Sequence, residues 1–211
     1  MRGGKIQANY LKTILKGTYD NPQANVGSYT LDKSLSSDTV LTYVDPIKKE
    51  VKIAIRGTKA TLADPTDWIN NLLYATKSGL QRISPRYTNA KKIVDNARKK
   101  YSGYTFEFLG HSQGSTHARD LAKPTESIVS INPATKGEYY KNEHVIRSSG
   151  DAISALGVFP SWYKNLIKEQ KDITTSYISD PIKAHRLDIL DELGETMVGA
   201  GIRCSCCGHI M

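Results

Sequence analysis

A chain of 211 residues, 39% hydrophobic and 24% charged, has length for one domain with its own core and not for two full ones. Its 29 basic and 21 acidic residues leave a net charge of +8, which favours polyanions such as anionic lipid or nucleic acid. No zinc-finger spacing, aromatic RNA-binding motif or long basic arm accompanies that charge, so the expectation is a solvated basic surface and no specific nucleic-acid partner. No apolar run nears the roughly 20 residues of a spanning helix. Met1 to Lys5 leads into a mixed polar segment, so the expectation is a soluble protein without a signal peptide.

In chain order, residues 5–17 read as a short amphipathic helix with Ile6, Tyr10, Ile14 and Leu15 on one face, a packing helix or an interfacial anchor. Asp20-Asn21-Pro22 and Asn25 to Ser28 read as turn. Thr39 to Val44 and Glu50 to Ile55 are strands joined through Asp45-Pro46 as a hairpin, and Arg56-Gly57-Thr58 breaks the second. Asp67 caps a helix through about Tyr74, with Trp68, Leu72 and Leu73 as its apolar positions. Ser84-Pro85 starts a helix running to about Lys100. Tyr104 to Leu109 is a strand, Gln113 to Ala122 a helix, Ser127 to Ile131 a strand, and Glu143 to Arg147 a short strand. Residues 160–171 and 185–193 read as helices. Strands alternating with helices predict an α/β fold with a mostly parallel central sheet flanked by helices.

Gly110-His111-Ser112-Gln113-Gly114 stands between a strand and a helix and fits the nucleophile-elbow pattern G-x-S-x-G. Such a turn lifts the serine hydroxyl above the sheet, and its glycines remove side chains that would strike the strand and the helix. The helix start offers unpaired N–H groups to negative charge. The plainer reading is a glycine-rich turn whose serine only caps the helix.

A second region extends the pattern. Val51-Lys52-Ile53-Ala54-Ile55-Arg56-Gly57-Thr58, then Asp67-Trp68-Ile69-Asn70-Asn71-Leu72, then Gly110-His111-Ser112, resembles the class 3 lipases, the fungal-type α/β-hydrolases, with Ile55 where Phe is usual. Ile131-Asn132-Pro133-Ala134-Thr135-Lys136-Gly137 is similar to that family's strand and proline loop after the nucleophile helix. The resemblance runs from about residue 38 to about residue 190. It implies a compact α/β-hydrolase in which Ser112 is the nucleophile, and Thr58 and the Gln113 N–H are the oxyanion donors. Residues 59–76 would be a lid with Trp68 and Leu72 facing lipid; the alternative for Trp68 is ordinary core packing.

A serine needs a base, and α/β-hydrolases order the triad serine, acid, histidine. His144, His185 and His209 follow the elbow helix. His185, in Asp180-Pro181-Ile182-Lys183-Ala184-His185-Arg186-Leu187, resembles the family's loop-borne base. Asp151, in Ser148-Ser149-Gly150-Asp151-Ala152-Ile153, resembles its acid, with Asp172 and Asp180 as rivals. His111 belongs to the turn, and His117 is expected to face away from the site. No metal or organic cofactor is implied. The chain is shorter than most of the family, which predicts a shallow, open site.

The two ends carry separate patterns. Met1-Arg2-Gly3-Gly4 and Met197-Val198-Gly199-Ala200, each followed by Lys5 or Gly201, resemble sites of the adenovirus-type maturation protease. All three cysteines (Cys204, Cys206, Cys207) lie in the last eight residues, in a basic tail similar to the peptide that activates that protease through a disulfide. This implies a leader of residues 1–4 ending at Gly4, a hydrolase domain of residues 5–200 ending at Ala200, and a released tail of residues 201–211. A virion location follows from it, and a cytoplasmic one otherwise. A flexible tail, a Cys/His metal tail and intermolecular disulfides are the alternatives, although Cys204-x-Cys206-Cys207-x-His209 is cramped for tetrahedral zinc.

Together these readings predict a serine lipase or phospholipase that works through an acyl-enzyme on lipid or membrane esters, within a virion protein that perturbs membranes at entry. The alternatives are a small-substrate esterase, thioesterase or acyltransferase, and a non-catalytic membrane-binding protein on a hydrolase scaffold.

Overall fold

The structure, a computed structural model, describes residues 8–58, 82, 84–134, 140–148, 173–176, 186–187 and 189–192. Helix α1 (Ala8–Gly17) precedes β1 (Asn25–Val26), β2 (Tyr29–Leu31), a 3₁₀ turn (Lys33–Leu35), β3 (Val40–Asp45) and β4 (Glu50–Ile55). Then come α2 (Pro85–Lys100), β5 (Thr105–His111), α3 (Gln113–Leu121), β6 (Ser127–Ile131), β7 (Glu143–Ser148), β8 (Ile173–Ser176) and α4 (Ile189–Glu192). The eight strands form one sheet in chain order. Strands β1 to β4 run antiparallel. Strands β4 to β8 run parallel. The expected α/β architecture with a mostly parallel sheet is thus what the chain adopts.

The parallel strands β4, β5 and β6 are covered on both faces, and their alternation sorts the side chains. On one face Ile53, Ile55, Phe106, Phe108 and Ile128 meet Ala90, Ile93, Val94 and Ala97 of α2, with Ala118 and Leu121 of α3. On the other, Ala54, Leu109, Val129, Ile131 and Ile146 meet Leu11, Ile14 and Leu15 of α1, with Ile189 and Leu190 of α4. Each large apolar side chain taken fully out of water contributes about 1.5–3 kcal/mol. Leu11, Ile14 and Leu15 of α1 are buried, as a packing helix requires, while Ile6 lies outside the described residues.

Helix α2 starts where expected: Ser84 accepts from the Tyr87 N–H at 3.1 Å, and Pro85 follows as the first helical residue. The segment read as turn from Asn25 to Ser28 instead contains a hairpin. Val26 pairs with Tyr29 across Gly27-Ser28, and Gly27 takes the φ of 59° that primed hairpin turns require. Strand β8 was not expected; Ile173-Thr174-Thr175-Ser176 is too short and polar to show strand periodicity, and its pairing with β7 supplies what local propensity does not. The described part of the helix predicted over 185–193 spans only Ile189–Glu192. The helices predicted after Asp67 and over residues 160–171 lie outside the described residues. Among the described residues no helix is long and apolar enough to cross a membrane.

Candidate active site

Strand β5 ends at His111 and α3 begins at Gln113, leaving one residue to reverse the chain. Ser112 does so at φ 55° and ψ −126°, a conformation that costs a non-glycine residue about 1–3 kcal/mol. Its side chain makes no cap hydrogen bond, so the helix-cap role does not apply. The backbone is pinned instead: Ser112 N–H donates to Ile131 O at 3.0 Å, and Ala134 N–H donates to Ser112 O at 3.3 Å. The spacing of the elbow has a steric cause. A Cβ on Gly110 would stand 2.6 Å from Ser115 N, and one on Gly114 2.8 Å from the carbonyl carbon of Arg56. Both distances are below any real Cβ contact, so α3 packs this closely on β4 and β5 only over glycine.

The end of β4 meets this turn. A Cβ on Gly57 would lie 2.6 Å from His111 O and 2.8 Å from Ser112 Cβ, which brings Thr58 beside the elbow. Thr58 Oγ1 donates to Gln113 Oε1 at 3.0 Å. The Thr58 hydroxyl proton is therefore engaged within the site wall. Of the two expected donor residues, the backbone N–H groups of Thr58 and Gln113 are the ones with no hydrogen-bond partner among the described residues. The N–H of Gln113 also belongs to the unpaired first turn of α3, where negative charge is favoured.

Two side chains not singled out in the sequence hold this corner. Arg86 Nη2 donates to Gly57 O at 2.9 Å, and its Nη1 lies 3.5 Å from Gln113 Oε1. Burial presses its guanidinium below the usual value, against the opposing pull of Tyr19 and with a smaller push from the Arg56 charge. Tyr19 Oη accepts from Gly57 N–H at 2.9 Å and lies 2.6 Å from His111 Nδ1. Burial pushes the Tyr19 hydroxyl up to about 12, against the lowering by the Gly57 bond and the two arginines, so it keeps its proton. The Tyr19 oxygen thus joins the Gly57 N–H to the His111 ring at Nδ1. His111 supports the turn, as its position suggested. Arg86 is one residue past a helix start and Tyr19 sits in a polar turn, so no spacing marks either.

His117 is buried on α3 with its ring edge-on to Tyr87, centroids 5.4 Å apart. Neither ring nitrogen has a hydrogen-bond partner among the described residues. Burial, then the nearby Arg86 charge, push it down to about 4, so it is a neutral core histidine. His144 lies half-buried on β7. A third residue overlooked in the sequence, Asn132, is fully buried just past β6 with φ 43° and bonds to backbone at residues 148 and 186. Asp151, His185, Trp68, Leu72, Gly4, Ala200, Cys204, Cys206, Cys207 and His209 all lie outside the described residues. No group of three or more potential metal ligands is present among the described residues.

No protein-family model matches the chain, and no curated protein does. Among solved structures the chain is similar to a triacylglycerol lipase from Penicillium expansum, at 18% identity over 73% of each chain and a TM-score of 0.48. It is also similar to a triacylglycerol lipase whose catalytic centre is described as a serine protease triad, at 15% identity over 74% of each chain and a TM-score of 0.49. Lipase II from Rhizopus niveus is similar at 14% identity over 71% of each chain, with a TM-score of 0.45.

Proposed function

We propose that the chain is a serine hydrolase of lipid carboxylic esters. The observation that carries this reading is Ser112 at a strained turn with no cap hydrogen bond, at the start of α3 and against Gly57, the residue before Thr58. A serine that only ended a strand would relax into ordinary backbone or cap its helix; this one does neither.

In this reading the Ser112 hydroxyl attacks the ester carbonyl carbon while His185 takes its proton. The oxyanion is held by the N–H groups of Thr58 and Gln113, a role that requires both to face the developing charge. His185 returns the proton to the leaving alcohol, and an acyl-enzyme remains on Ser112. Water then attacks the acyl carbon, His185 takes the water proton, and the carboxylic acid leaves as Ser112 recovers its hydrogen. Asp151 orients His185 and stabilises its charged form. The roles of Asp151 and His185 rest on chain order and on the resemblance to class 3 lipases.

The same resemblance assigns residues 59–76 to a lid with Trp68 and Leu72 toward lipid, triglyceride or phospholipid. The patterns at the ends assign cleavage after Gly4 and Ala200 by a viral maturation protease. They also assign a disulfide partnership through Cys204, Cys206 or Cys207, and a virion location with action on membranes at entry. The net charge of +8 suits docking on anionic lipid.

The test is hydrolysis by the full chain of soluble esters of rising acyl length and of phospholipid vesicles, with Ser112→Ala beside it. Turnover lost in Ser112→Ala and enhanced on aggregated substrate is expected. Turnover confined to short soluble esters would replace the lipase with an esterase. No turnover and no labelling of Ser112 by a fluorophosphonate, from folded protein, would leave a non-catalytic scaffold.

A further inference from the structure

Asn132 stands where four parts of the chain converge. Its backbone N–H donates to Ile146 O at 2.8 Å, which joins the ends of β6 and β7. Its Oδ1 accepts the Ser148 N–H at 2.9 Å, at the last residue of β7. Its Nδ2 donates to Arg186 O at 2.9 Å, 54 residues further along the chain. The residue before it, Ile131, accepts the Ser112 N–H, and Ala134 two residues on donates to Ser112 O. One buried amide, on the segment whose backbone holds the Ser112 turn, thus bonds residue 148, three residues before Asp151, and residue 186, directly after His185.

We infer that Asn132 is a positioning residue, whose side-chain amide sets the chain points adjoining the acid and the base against the Ser112 turn. The inference rests on the hydrolase reading above. The chemistry singles out asparagine. The site needs a donor for the Arg186 carbonyl and an acceptor for the Ser148 N–H within one short planar group, and an amide supplies both. A carboxylate would set an acceptor against the Arg186 carbonyl. An apolar side chain would take this acceptor from the buried Ser148 N–H and this donor from the Arg186 carbonyl. The φ of 43° adds a second reason, since asparagine takes the left-handed region more readily than most residues.

Two variants of the full chain test this. Asn132→Gly keeps the backbone conformation and deletes only the side-chain bonds. Asn132→Asp keeps the shape and inverts one bond, except where the acid is protonated and can again donate. The readout is the rate of Ser112 labelling by a fluorophosphonate against pH, per folded molecule, with a urea midpoint for stability. We expect labelling at least 10-fold slower at pH 7 in both variants. In Asn132→Gly the pH midpoint moves toward that of free imidazole, because the base has lost its fixed partner. In Asn132→Asp the rate relative to the parent rises as pH falls.

A lower urea midpoint with parental rate and pH midpoint would reduce Asn132 to a structural bond and overturn the inference. Loss of folding in both variants would do the same. Absence of labelling in the parent protein would instead overturn the hydrolase reading, so the two failures are told apart.

Discussion

Replacing Gly57 by alanine places one methyl group where three elements converge. Its carbon would stand 2.6 Å from His111 O, 2.7 Å from Tyr19 Oη and 2.8 Å from Ser112 Cβ. Ordinary contact begins at 3.4 Å, so the shortfalls are 0.8, 0.7 and 0.6 Å. The three atoms belong to the end of β5, to the turn after α1 and to the elbow. No single side-chain rotation relieves all of them, and two of the three are fixed by backbone. The end of β4 must therefore retreat from Ser112 by most of an ångström, carrying the Thr58 N–H with it. Overpacking of this kind costs about 1–3 kcal/mol of stability. Misplacement near 1 Å in a reacting site costs about 100-fold in rate. Gly57→Ala should therefore lose roughly 2 kcal/mol in urea unfolding and about 100-fold in Ser112 labelling and ester turnover. Gly103→Ala is the control: at φ 82° with nothing within 4 Å, it carries backbone strain and no clash, so its folded form should label at the parental rate. Parental stability and labelling in Gly57→Ala would refute the close approach of β4 to the elbow.

Tyr19→Phe leaves the Gly57 N–H and His111 Nδ1 without their shared oxygen; a loss of about 1–3 kcal/mol in urea unfolding and slower Ser112 labelling are expected. An unchanged denaturation midpoint would show the network to be idle. His117 has a folded pKa of about 4 against an ordinary 6.5, so the unfolded chain binds the extra proton. Its contribution is fully present above pH 6.5 and is lost as pH falls toward 4, by about 3 kcal/mol across that window. His117→Phe should flatten the pH dependence of the urea midpoint there, and an equal slope in both proteins would count against it. Arg119 Nε lies 3.0 Å from Glu143 Oε2, with both side chains buried. Arg119→Met alone should destabilise by about 3–5 kcal/mol by stranding the carboxylate, and adding Glu143→Gln should recover much of that in thermal unfolding. A double variant no better than the single would deny the coupling.

What the sequence made legible was whatever local chemistry dictates. The β3–β4 hairpin, the Ser84-Pro85 helix start and the strand–glycine–serine–glycine–helix turn each have a cause within a few residues, and each lies where expected. Tyr19, Arg86 and Asn132 act on partners up to 92 residues away, and no local period records that. The β1–β2 hairpin was missed because two- and three-residue strands leave Gly27-Ser28 as the only visible feature, and that feature reads as a turn in either case. Thr58 shows a finer limit. Its place beside the elbow was expected from the resemblance to class 3 lipases, yet only the packed corner shows its hydroxyl turned to Gln113 Oε1.

The strand order bears on when the protein becomes complete. Successive parallel crossovers in one direction, each right-handed, put their connecting helices on one side of a sheet, and α2 and α3 do share a side. The opposite side is covered by α1 and α4, tied by the ion pair between Lys12 and Asp191. During synthesis, Leu109, Val129, Ile131 and Ile146 can find α1 early, but the cover over them closes only when residues 189–192 have left the ribosome. His185 precedes that closing helix by four residues. A nascent chain would therefore carry a formed serine turn well before its proposed base arrives, and competence would come in the same late step as the closing of the core.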